Sequence, residues 1–375
     1  MNADEMAEQV RMCAACPKMC RHICPTFFAW RSDSPTPHGR ALLVHYDNLG
    51  VRPLDERAVE VLYQCLECSH CLTWCVPGID IASIVEAVRE RIVAEERAPP
   101  AIIKMAETIE SCHNPYGEDH THRNDWVTIE ETDGQGIVYF TGCTAAYRET
   151  SILTSTTKTL TGLGYNVIVT PDEWCCGSPL FRTGFKELAL SQARHNVNVL
   201  NSIEAEAIVV TCPGCYRVLT QDYPENGLQL NKPVLHLSQL LADRLDDLPK
   251  GVLHARFTYH DPCHLGRHSG VYEPPRQVIT RLSADGLVEM QRNRDNAMCC
   301  GNGAGLRTLF PEKSREIGAE RVRQAVETGA DYLVTACPFC KNMLASQSDN
   351  SLNVIDLPEL VQMATSGKSP NGSTD

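Results

Sequence analysis

The order of apolar and polar residues divides the chain into a mostly helical first part and a second part in which short apolar segments alternate with helices. In the first part, one helix-forming run comprises Ile81, Ile84, Val85, Val88 and Ile92, with Glu and Arg between them. From position 137 onward the apolar segments have the length and residue types of strands. They are residues 137–140, 165–169, 207–210, 256–259, 287–290 and 332–334. This alternation predicts βαβ units with parallel sheets, an α/β fold.

Turn signals and composition give the expected domain boundaries. We expect a helical domain over residues 1–95 and a linker over residues 96–136, where Pro99-Pro100 and the turn Asn114-Pro-Tyr-Gly117 lie. Two α/β domains should follow at residues 137–250 and 251–365. The last ten residues, 366–375, are polar and rich in Gly, Ser and Pro, which predicts a disordered tail.

Composition and charge narrow the class of protein. Of 375 residues, 43% are hydrophobic and 22% charged, as in soluble globular proteins. No apolar run reaches the roughly 18 residues that a membrane helix needs. The net charge of −13 argues against nucleic acid as a partner. The chain starts without a signal-peptide pattern and carries 19 cysteines, which as free thiols require a reducing medium, so we expect a cytoplasmic protein.

Two cysteine runs in the helical part have the spacing of a bacterial ferredoxin. The first is Cys13-x2-Cys16-x3-Cys20-x3-Cys24, and the second is Cys65-x2-Cys68-x2-Cys71-x3-Cys75; prolines follow both. In such runs three cysteines bind irons of one cube, and the fourth reaches across to the other cube. We therefore expect two cubane [4Fe-4S] clusters. One would be bound by Cys13, Cys16, Cys20 and Cys75, and the other by Cys65, Cys68, Cys71 and Cys24.

A second cysteine pattern occurs twice in the α/β part. Its centre is an adjacent pair followed by glycine, Cys175-Cys176-Gly177 and Cys299-Cys300-Gly301. A single cysteine precedes each pair by 31 or 35 residues, and a Cys-x2-Cys unit follows after 35 or 36 residues. The first set of five, here called frame 1, is Cys143, Cys175, Cys176, Cys212 and Cys215; frame 2 is Cys263, Cys299, Cys300, Cys337 and Cys340. The repeat at an offset of about 120 residues indicates an internal duplication, and its groups follow predicted strands, at the edge where open α/β sheets bind ligands.

Other uses of these thiols fit less well. Adjacent cysteines cannot easily bridge each other, and structural zinc takes four ligands where each frame offers five. Buried inert thiols would not repeat in register. Cys112 lies outside every motif and is expected to be unligated. For His22, His38 and His70, near the ferredoxin-like runs, we expect polar surface roles.

Taken together, these motifs resemble the cysteine-rich, or CCG-domain, family of iron–sulfur oxidoreductases. That family includes the catalytic subunit of heterodisulfide reductase and the iron–sulfur subunits of anaerobic glycerol-3-phosphate, glycolate and lactate dehydrogenases. The resemblance covers roughly residues 10–360, including Pro37-His-Gly-Arg40 and the Asn114-Pro-Tyr-Gly117 segment with Arg123 and Trp126. It implies that each frame binds a noncubane [4Fe-4S] cluster through its five cysteines.

The resemblance and the cysteine runs lead to an expected function. The favoured hypothesis is an electron-transfer subunit of a multi-subunit oxidoreductase, fed or drained by a flavoprotein dehydrogenase or an electron-transfer flavoprotein, because the chain has no nucleotide-binding signal of its own. A membrane- or quinone-linked acceptor would place it at the inner face of the membrane through a partner. The alternative is reductive cleavage of a disulfide or thiol substrate at the noncubane clusters. Proton donors for that reaction could come from His260, Asp261, His264 and His268, although structural roles are the more common use of such residues.

Overall fold

The computed structural model describes residues 3–127, 133–349 and 352–366. The predicted tail, apart from Ser366, and residues 128–132 of the predicted linker lie outside the described residues. The helices of the first part are α1 (Ala3–Ala14), α2 (Pro25–Trp30), α3 (Pro37–Asn48), α4 (Glu56–Tyr63), α5 (His70–Thr73), α6 (Ile81–Ala94) and α7 (Pro100–Cys112).

Side-chain caps and apolar faces explain the helices of this first part. Thr36, Asp55 and Asp80 each accept a backbone N–H at the start of α3, α4 and α6. The apolar face of α6 then packs into a core with residues of α1, α3 and α4. The predicted linker contributes to the fold, because the buried face of α7, with Ala106 and Ile109, packs against the first α/β domain.

The first α/β domain contains a parallel four-stranded sheet of order β2-β1-β3-β4. The two central strands, β1 and β3, are almost entirely buried, which fits their continuous apolar sequences. In chain order the elements are β1 (Gly136–Phe140), α8 (Cys143–Tyr147), α9 (Thr150–Gly162), β2 (Asn166–Ile168), α10 (Ser178–Thr183), α11 (Lys186–Ser202), β3 (Ala207–Val210), α12 (Pro213–Arg217), a π-helical turn (Val218–Asp222), α13 (Tyr223–Glu225), β4 (Val234–His236) and α14 (Leu237–Asp243).

The second α/β domain repeats this arrangement around a parallel sheet of order β5-β6-β7. The segment predicted as a strand at 287–290 makes only a single bridge, from Leu287 to Phe257 of β5. That bridge occupies the place that β2 has beside β1, so both sheets share one strand order. The elements are β5 (Phe257–His260), α15 (Glu273–Leu282), α16 (Leu306–Leu309), α17 (Pro311–Val326), β6 (Tyr332–Thr335), α18 (Pro338–Ala345), β7 (Asn353–Asp356) and α19 (Leu357–Ser366). The predicted α/β class with parallel sheets and a helical first part is confirmed.

A buried arginine fastens the helical part to the first α/β domain. Arg89 of α6 is fully buried, and its Nη2 donates to the carbonyls of Leu62 and Cys65, at 2.8 Å each. Its Nη1 pairs with Glu67 at 2.5 Å and donates to the carbonyl of Arg182 at 2.7 Å, across the domain boundary. A buried guanidinium is tolerated only when its donors are used in this way.

Among the helices of the described residues, none is long and apolar enough to cross a lipid bilayer.

Candidate metal centres

The cysteines of the ferredoxin-like runs come together in the two predicted groups. Cys13, at the end of α1, lies near Cys16, Cys20 and Cys75; burial and these three thiols raise the pKa of Cys13 to about 12. A thiol whose ionisation its neighbours oppose in this way lies at a site where a metal cation would be favourable. We call these four cysteines group A.

Group B consists of Cys24, Cys65, Cys68 and Cys71. Burial, and then the thiols of Cys68, Cys65 and Cys24, raise the pKa of Cys71. The same four side chains line a cavity. Cys24 is also a neighbour of Cys20 in group A, so the two groups are adjacent.

The loop of group B has an unusual backbone that its surroundings hold in place. Glu67 and Ser69 have φ of 48° and 52°, the left-handed region that costs a non-glycine residue on the order of 1 kcal/mol. The side chain of Glu67 is held by Arg89 and its backbone N–H points at Cys65 Sγ, 3.4 Å away. The contacts of Arg89 therefore stabilise a conformation that is strained by itself.

Frame 1 assembles where strands of the first sheet end. Cys143 begins α8 just after β1, and Cys212 and Cys215 flank the start of α12 just after β3. The side chain of Cys143 contacts that of Cys175, and Cys215 contacts both Cys176 and Cys212. Cys175 also contacts Cys176, so all five thiols of the frame belong to one cluster of contacts.

A buried carboxylate supports frame 1 from behind. Glu173 accepts hydrogen bonds from the backbone N–H groups of Thr141 at 2.7 Å and Gly142 at 2.8 Å, and forms an ion pair with the buried Arg123. A side chain at Gly142 would meet Cys215 Sγ at 3.2 Å. Sequence reasoning singled out Arg123 but missed Glu173, whose place two residues before Cys175 was the available signal.

Frame 2 assembles in the same way in the second α/β domain. Cys299 contacts Cys263 and Cys300, and Cys340 contacts Cys300 and Cys337. The backbone N–H of Cys337 donates to Asp356 at 2.8 Å, which fixes the turn into α18. As with Glu173, a buried carboxylate orients the turn that carries a cysteine.

Both glycines that follow the cysteine pairs have a left-handed backbone conformation and little room for a side chain. Gly177 and Gly301 have φ of 89° and 91°. A Cβ on Gly301 would lie 2.5 Å from the carbonyl oxygen of Ser314, and one on Gly177 would lie 3.3 Å from the carbonyl oxygen of Ala189. Positive φ and close backbone approach thus both favour glycine after each cysteine pair.

Contacts between cysteines also connect the groups with one another. Cys68 of group B contacts Cys299 of frame 2, and Cys337 of frame 2 contacts Cys212 of frame 1. Together with the neighbours Cys20 and Cys24, these contacts order the sites as group A, group B, frame 2 and frame 1. The series runs across all three structural parts of the chain.

The histidines near the ferredoxin-like runs differ in their environments. His22 is exposed, and His38 is half-buried with Nδ1 2.9 Å from the carbonyl oxygen of Cys13. The expected surface role of His70 is wrong: it is buried, and its Nε2 lies 3.1 Å from Asn296 Oδ1. That partner is 226 residues away in the chain, so only the tertiary structure reveals it.

Cys112 lies outside the four groups, with its Sγ 3.6 Å from Ser111 Oγ.

Cationic and imidazole side chains gather where the two frames meet. Arg217 of α12 lies near His264 and His268, which follow Cys263, and burial together with these neighbours lowers the pKa of both histidines, so that both are neutral near pH 7. Within the described part of the chain, Nε and Nη1 of Arg217 have no hydrogen-bond partner. The side chain of Arg217 is 12% exposed, so an anion or a sulfur-bearing ligand could reach it.

The other two predicted proton donors are buried among different partners. Asp261 is buried and bound by both terminal nitrogens of Arg276, at 2.6 and 2.9 Å. His260 is also buried, at the end of β5. Both side chains therefore belong to the interior of the second domain.

The donor sets fit iron–sulfur clusters. The side chains are soft sulfur ligands, held in groups of four and five, and several of them have backbone N–H groups directed at sulfur, such as Ile79 to Cys75 Sγ at 3.2 Å. Burial and neighbouring thiols raise the pKa values of cysteines such as Cys13 and Cys71, which opposes their ionisation, and iron would remove that penalty.

Comparison with known proteins identifies relatives of the entire chain. The CCG cysteine-rich domain family matches residues 137–220 and 257–345. One subunit of the dihydromethanophenazine:CoB–CoM heterodisulfide reductase of Methanosarcina barkeri is 35% identical, over 94% of this chain and 93% of that protein. One subunit of the fumarate reductase (CoM/CoB) of Methanothermobacter marburgensis is 30% identical over 96% of this chain and 73% of its own length. The EtfAB:quinone oxidoreductase of Syntrophomonas wolfei is 28% identical over 81% of this chain and 46% of its own length.

A solved structure shares the fold. A hypothetical protein from Helicobacter pylori superposes with a TM-score of 0.60, covering 89% of this chain and 69% of that one, at 12% sequence identity. At that identity the likeness describes the architecture alone.

Proposed function

Because the chain belongs to the iron–sulfur oxidoreductase family that contains the Methanosarcina heterodisulfide reductase protein and carries two cysteine-rich domains, we propose that it is an electron-transfer subunit with four iron–sulfur centres. Groups A and B would each hold a cubane [4Fe-4S] cluster, and frames 1 and 2 a noncubane [4Fe-4S] cluster each. When bound, the clusters would supply one-electron carriers.

The observation that carries this proposal is the unbroken series of cysteine contacts from group A to frame 1. Electrons tunnel efficiently only over short distances, and Cys20 with Cys24, Cys68 with Cys299, and Cys337 with Cys212 bring each site next to the following one. Metal sites with purely structural roles would not require this order.

Group A is the end of the series that best suits a redox partner. Three of its four cysteines, Cys16, Cys20 and Cys75, are half-exposed. Beside them, Val76 is 93% exposed and Trp74 is 43% exposed. Apolar side chains around an accessible centre favour docking of another protein. We propose a flavoprotein as that partner, in keeping with the EtfAB relative.

Cleavage of a disulfide at frames 1 and 2 is a second candidate function. Two observations favour it: the similarity to the heterodisulfide reductase protein of Methanosarcina barkeri extends over nearly the full length of both chains, and the frames meet beside Arg217. In this reaction a disulfide takes up two electrons and two protons and gives two thiols. His264 and His268 could pass the protons, and Arg217 would suit an acidic group on the substrate.

An iron and sulfide determination on anaerobically purified protein tests the first proposal. We expect Cys75→Ser to lose about a quarter of the iron, since one cubane of four clusters depends on it, while Cys112→Ser, outside the groups, keeps all of it. Protein that folds normally without iron would contradict the proposal.

Turnover with a heterodisulfide separates the two candidate functions. If the frames cleave disulfides, prereduced protein should be reoxidised by a heterodisulfide, and Arg217→Gln should slow this without changing iron content, whereas Arg256→Gln, on an exposed residue, should not. Reoxidation by a flavoprotein or a quinone, but not by a heterodisulfide, would favour electron transfer over disulfide cleavage.

A further inference from the structure

His260 lies next to two cysteines of frame 2. One ligand atom of His260 and the Sγ atoms of Cys300 and Cys340 all lie within 4.8 Å of one another. The histidine is fully buried. It could therefore either bind the metal directly or donate a hydrogen bond to a metal-bound sulfur, and the two roles require different protonation of its ring.

A buried arginine decides between these roles. Nε of Arg321 donates to Nδ1 of His260 at 3.0 Å. A guanidinium has only donors, so Nδ1 must carry the lone pair and the ring proton must be on Nε2. A metal bound at Nε2 would force the proton onto Nδ1, where it would point at the N–H of Arg321.

Arg321 itself is held so that it cannot easily turn away. It is fully buried, and its Nη1 donates to the carbonyl of Arg292 and to Gln324 Oε1, both at 2.9 Å. Among the described residues, Nε2 of His260 has no hydrogen-bond partner that satisfies normal geometry. The donor on Nε2 is thus available to the neighbouring sulfur atoms.

We propose that His260 donates a hydrogen bond from Nε2 to the metal-bound sulfur of Cys300, and that Arg321 is the positioning residue that fixes this tautomer. The inference rests on the proposed function, because it requires a cluster in frame 2. Hydrogen bonds to cluster sulfur stabilise the more negative, reduced state and raise the reduction potential.

The corresponding positions of frame 1 carry other residues. Phe140 ends β1 as His260 ends β5, three residues before the first cysteine of each frame. Asn196, 20 residues after Cys176, stands where Arg321 stands 21 residues after Cys300. The side chain of Asn196 bonds to the backbone of Trp174 and Cys175 instead.

The duplicated frames are therefore electronically unequal. The hydrogen bond from His260 raises the reduction potential of frame 2, whereas the donor beside sulfur in frame 1 is Arg123, next to Cys143. Frame 2 lies between group B and frame 1 in the series of sites.

The test is an EPR-monitored redox titration of the anaerobic holoprotein and its His260→Phe variant, which copies frame 1. A hydrogen bond to a charged group is worth about a factor of ten in equilibrium constant, which for one electron corresponds to a decrease of about 59 mV. We expect that decrease in one centre only. His260→Gln, which keeps an N–H donor, should restore part of it and provides the test if His260→Phe loses iron.

Magnetic resonance gives a readout independent of potential. In protein with 15N-labelled histidine, we expect weak nitrogen coupling and an exchangeable proton coupling that disappears in His260→Phe. Strong coupling from directly bound 15N, or an unchanged potential in an iron-replete His260→Phe protein, would overturn this inference alone. A wild-type protein that contains no iron would overturn the proposed function as well.

Discussion

The space around a glycine, as well as its backbone conformation, determines whether another residue can replace it. At Gly301 the nearest atom to an added Cβ is a backbone oxygen, which cannot move without shifting α17. At Gly50, which has φ of 66°, an added Cβ would meet nothing within 4 Å. The two glycines thus share the unusual backbone conformation but differ in packing.

We expect Gly301→Ala to be far more damaging than Gly50→Ala. In both variants the left-handed backbone conformation destabilises the folded protein by about 1–2 kcal/mol. At Gly301 the clash with Ser314 should add about 1–3 kcal/mol. Urea unfolding and iron content measure the difference. Equal losses in the two variants would show that backbone conformation alone requires the glycine.

His236 should make stability depend on pH. Burial lowers its pKa to about 4. Its Nδ1 accepts from the backbone N–H of Ser238 at 3.2 Å, a helix-capping hydrogen bond that protonation of Nδ1 would break. Because the folded pKa is depressed, the stability is fully present above the unfolded pKa of about 6.5 and is lost as the pH falls towards 4.

Replacement by asparagine, which caps helices but does not titrate, isolates this effect. Between about pH 7.5 and 5.5 the wild type should lose about 1.3 kcal/mol more unfolding free energy than His236→Asn. The measurement is urea unfolding at the two pH values. Parallel losses in both proteins would exclude His236 as the source.

Helix α6 shows how one element organises its neighbours. Arg89 on its buried side binds carbonyls of two domains, whereas Arg91, two residues on, pairs with Asp47 at 2.5 Å and is 43% exposed. The same residue type on one helix thus serves as a buried connection at one position and as a surface ion pair at the other.

We expect Arg89→Leu to lower the unfolding free energy by about 3–5 kcal/mol, because Glu67 is left buried without its partner. The matched variant Arg91→Leu should cost at most about 1 kcal/mol. Chemical unfolding of the holoproteins, with iron content as a second readout, tests this. A small effect at Arg89 would mean that water or protonation of Glu67 replaces the ion pair.

Elements with a clear apolar pattern could be predicted from the sequence. Short strands that are recognisable only by their hydrogen bonds to a neighbouring strand could not. Residues 207–210 form β3 with the predicted bounds. Strands β4 and β7 are three or four residues long, lie at sheet edges and have no alternating pattern, so they were missed. The segment at 287–290 has strand composition, yet only Leu287 is close enough to β5 to pair.

The arrangement of the entire chain depends on contacts between residues far apart in sequence. The ferredoxin-like spacing and the repeated frames predicted which cysteines belong to each group. They did not indicate that frame 2 lies between group B and frame 1, since Cys68 and Cys299 are brought together only by domain packing. Arg267 contributes to that packing through the carbonyls of Cys68 and Ala297, each at 2.6 Å.

Partner docking at group A can be tested on the surface. Val76→Glu should slow reduction by a reduced flavoprotein donor by about tenfold, since a charge replaces an apolar contact worth about 1–2 kcal/mol, without altering iron content. Val252→Glu, on a 44% exposed residue of the second domain, should leave the rate unchanged. Equal rates in all three proteins would locate docking elsewhere.

The uneven burial of the thiols also sets where damage by air begins. Group A has three half-exposed cysteines, whereas group B and each frame have one. Dioxygen should therefore attack the outermost centre first, cutting the inner ones off from their electron supply while they are still intact. Electron transfer through the protein would therefore stop well before most of the visible absorbance of its clusters was lost.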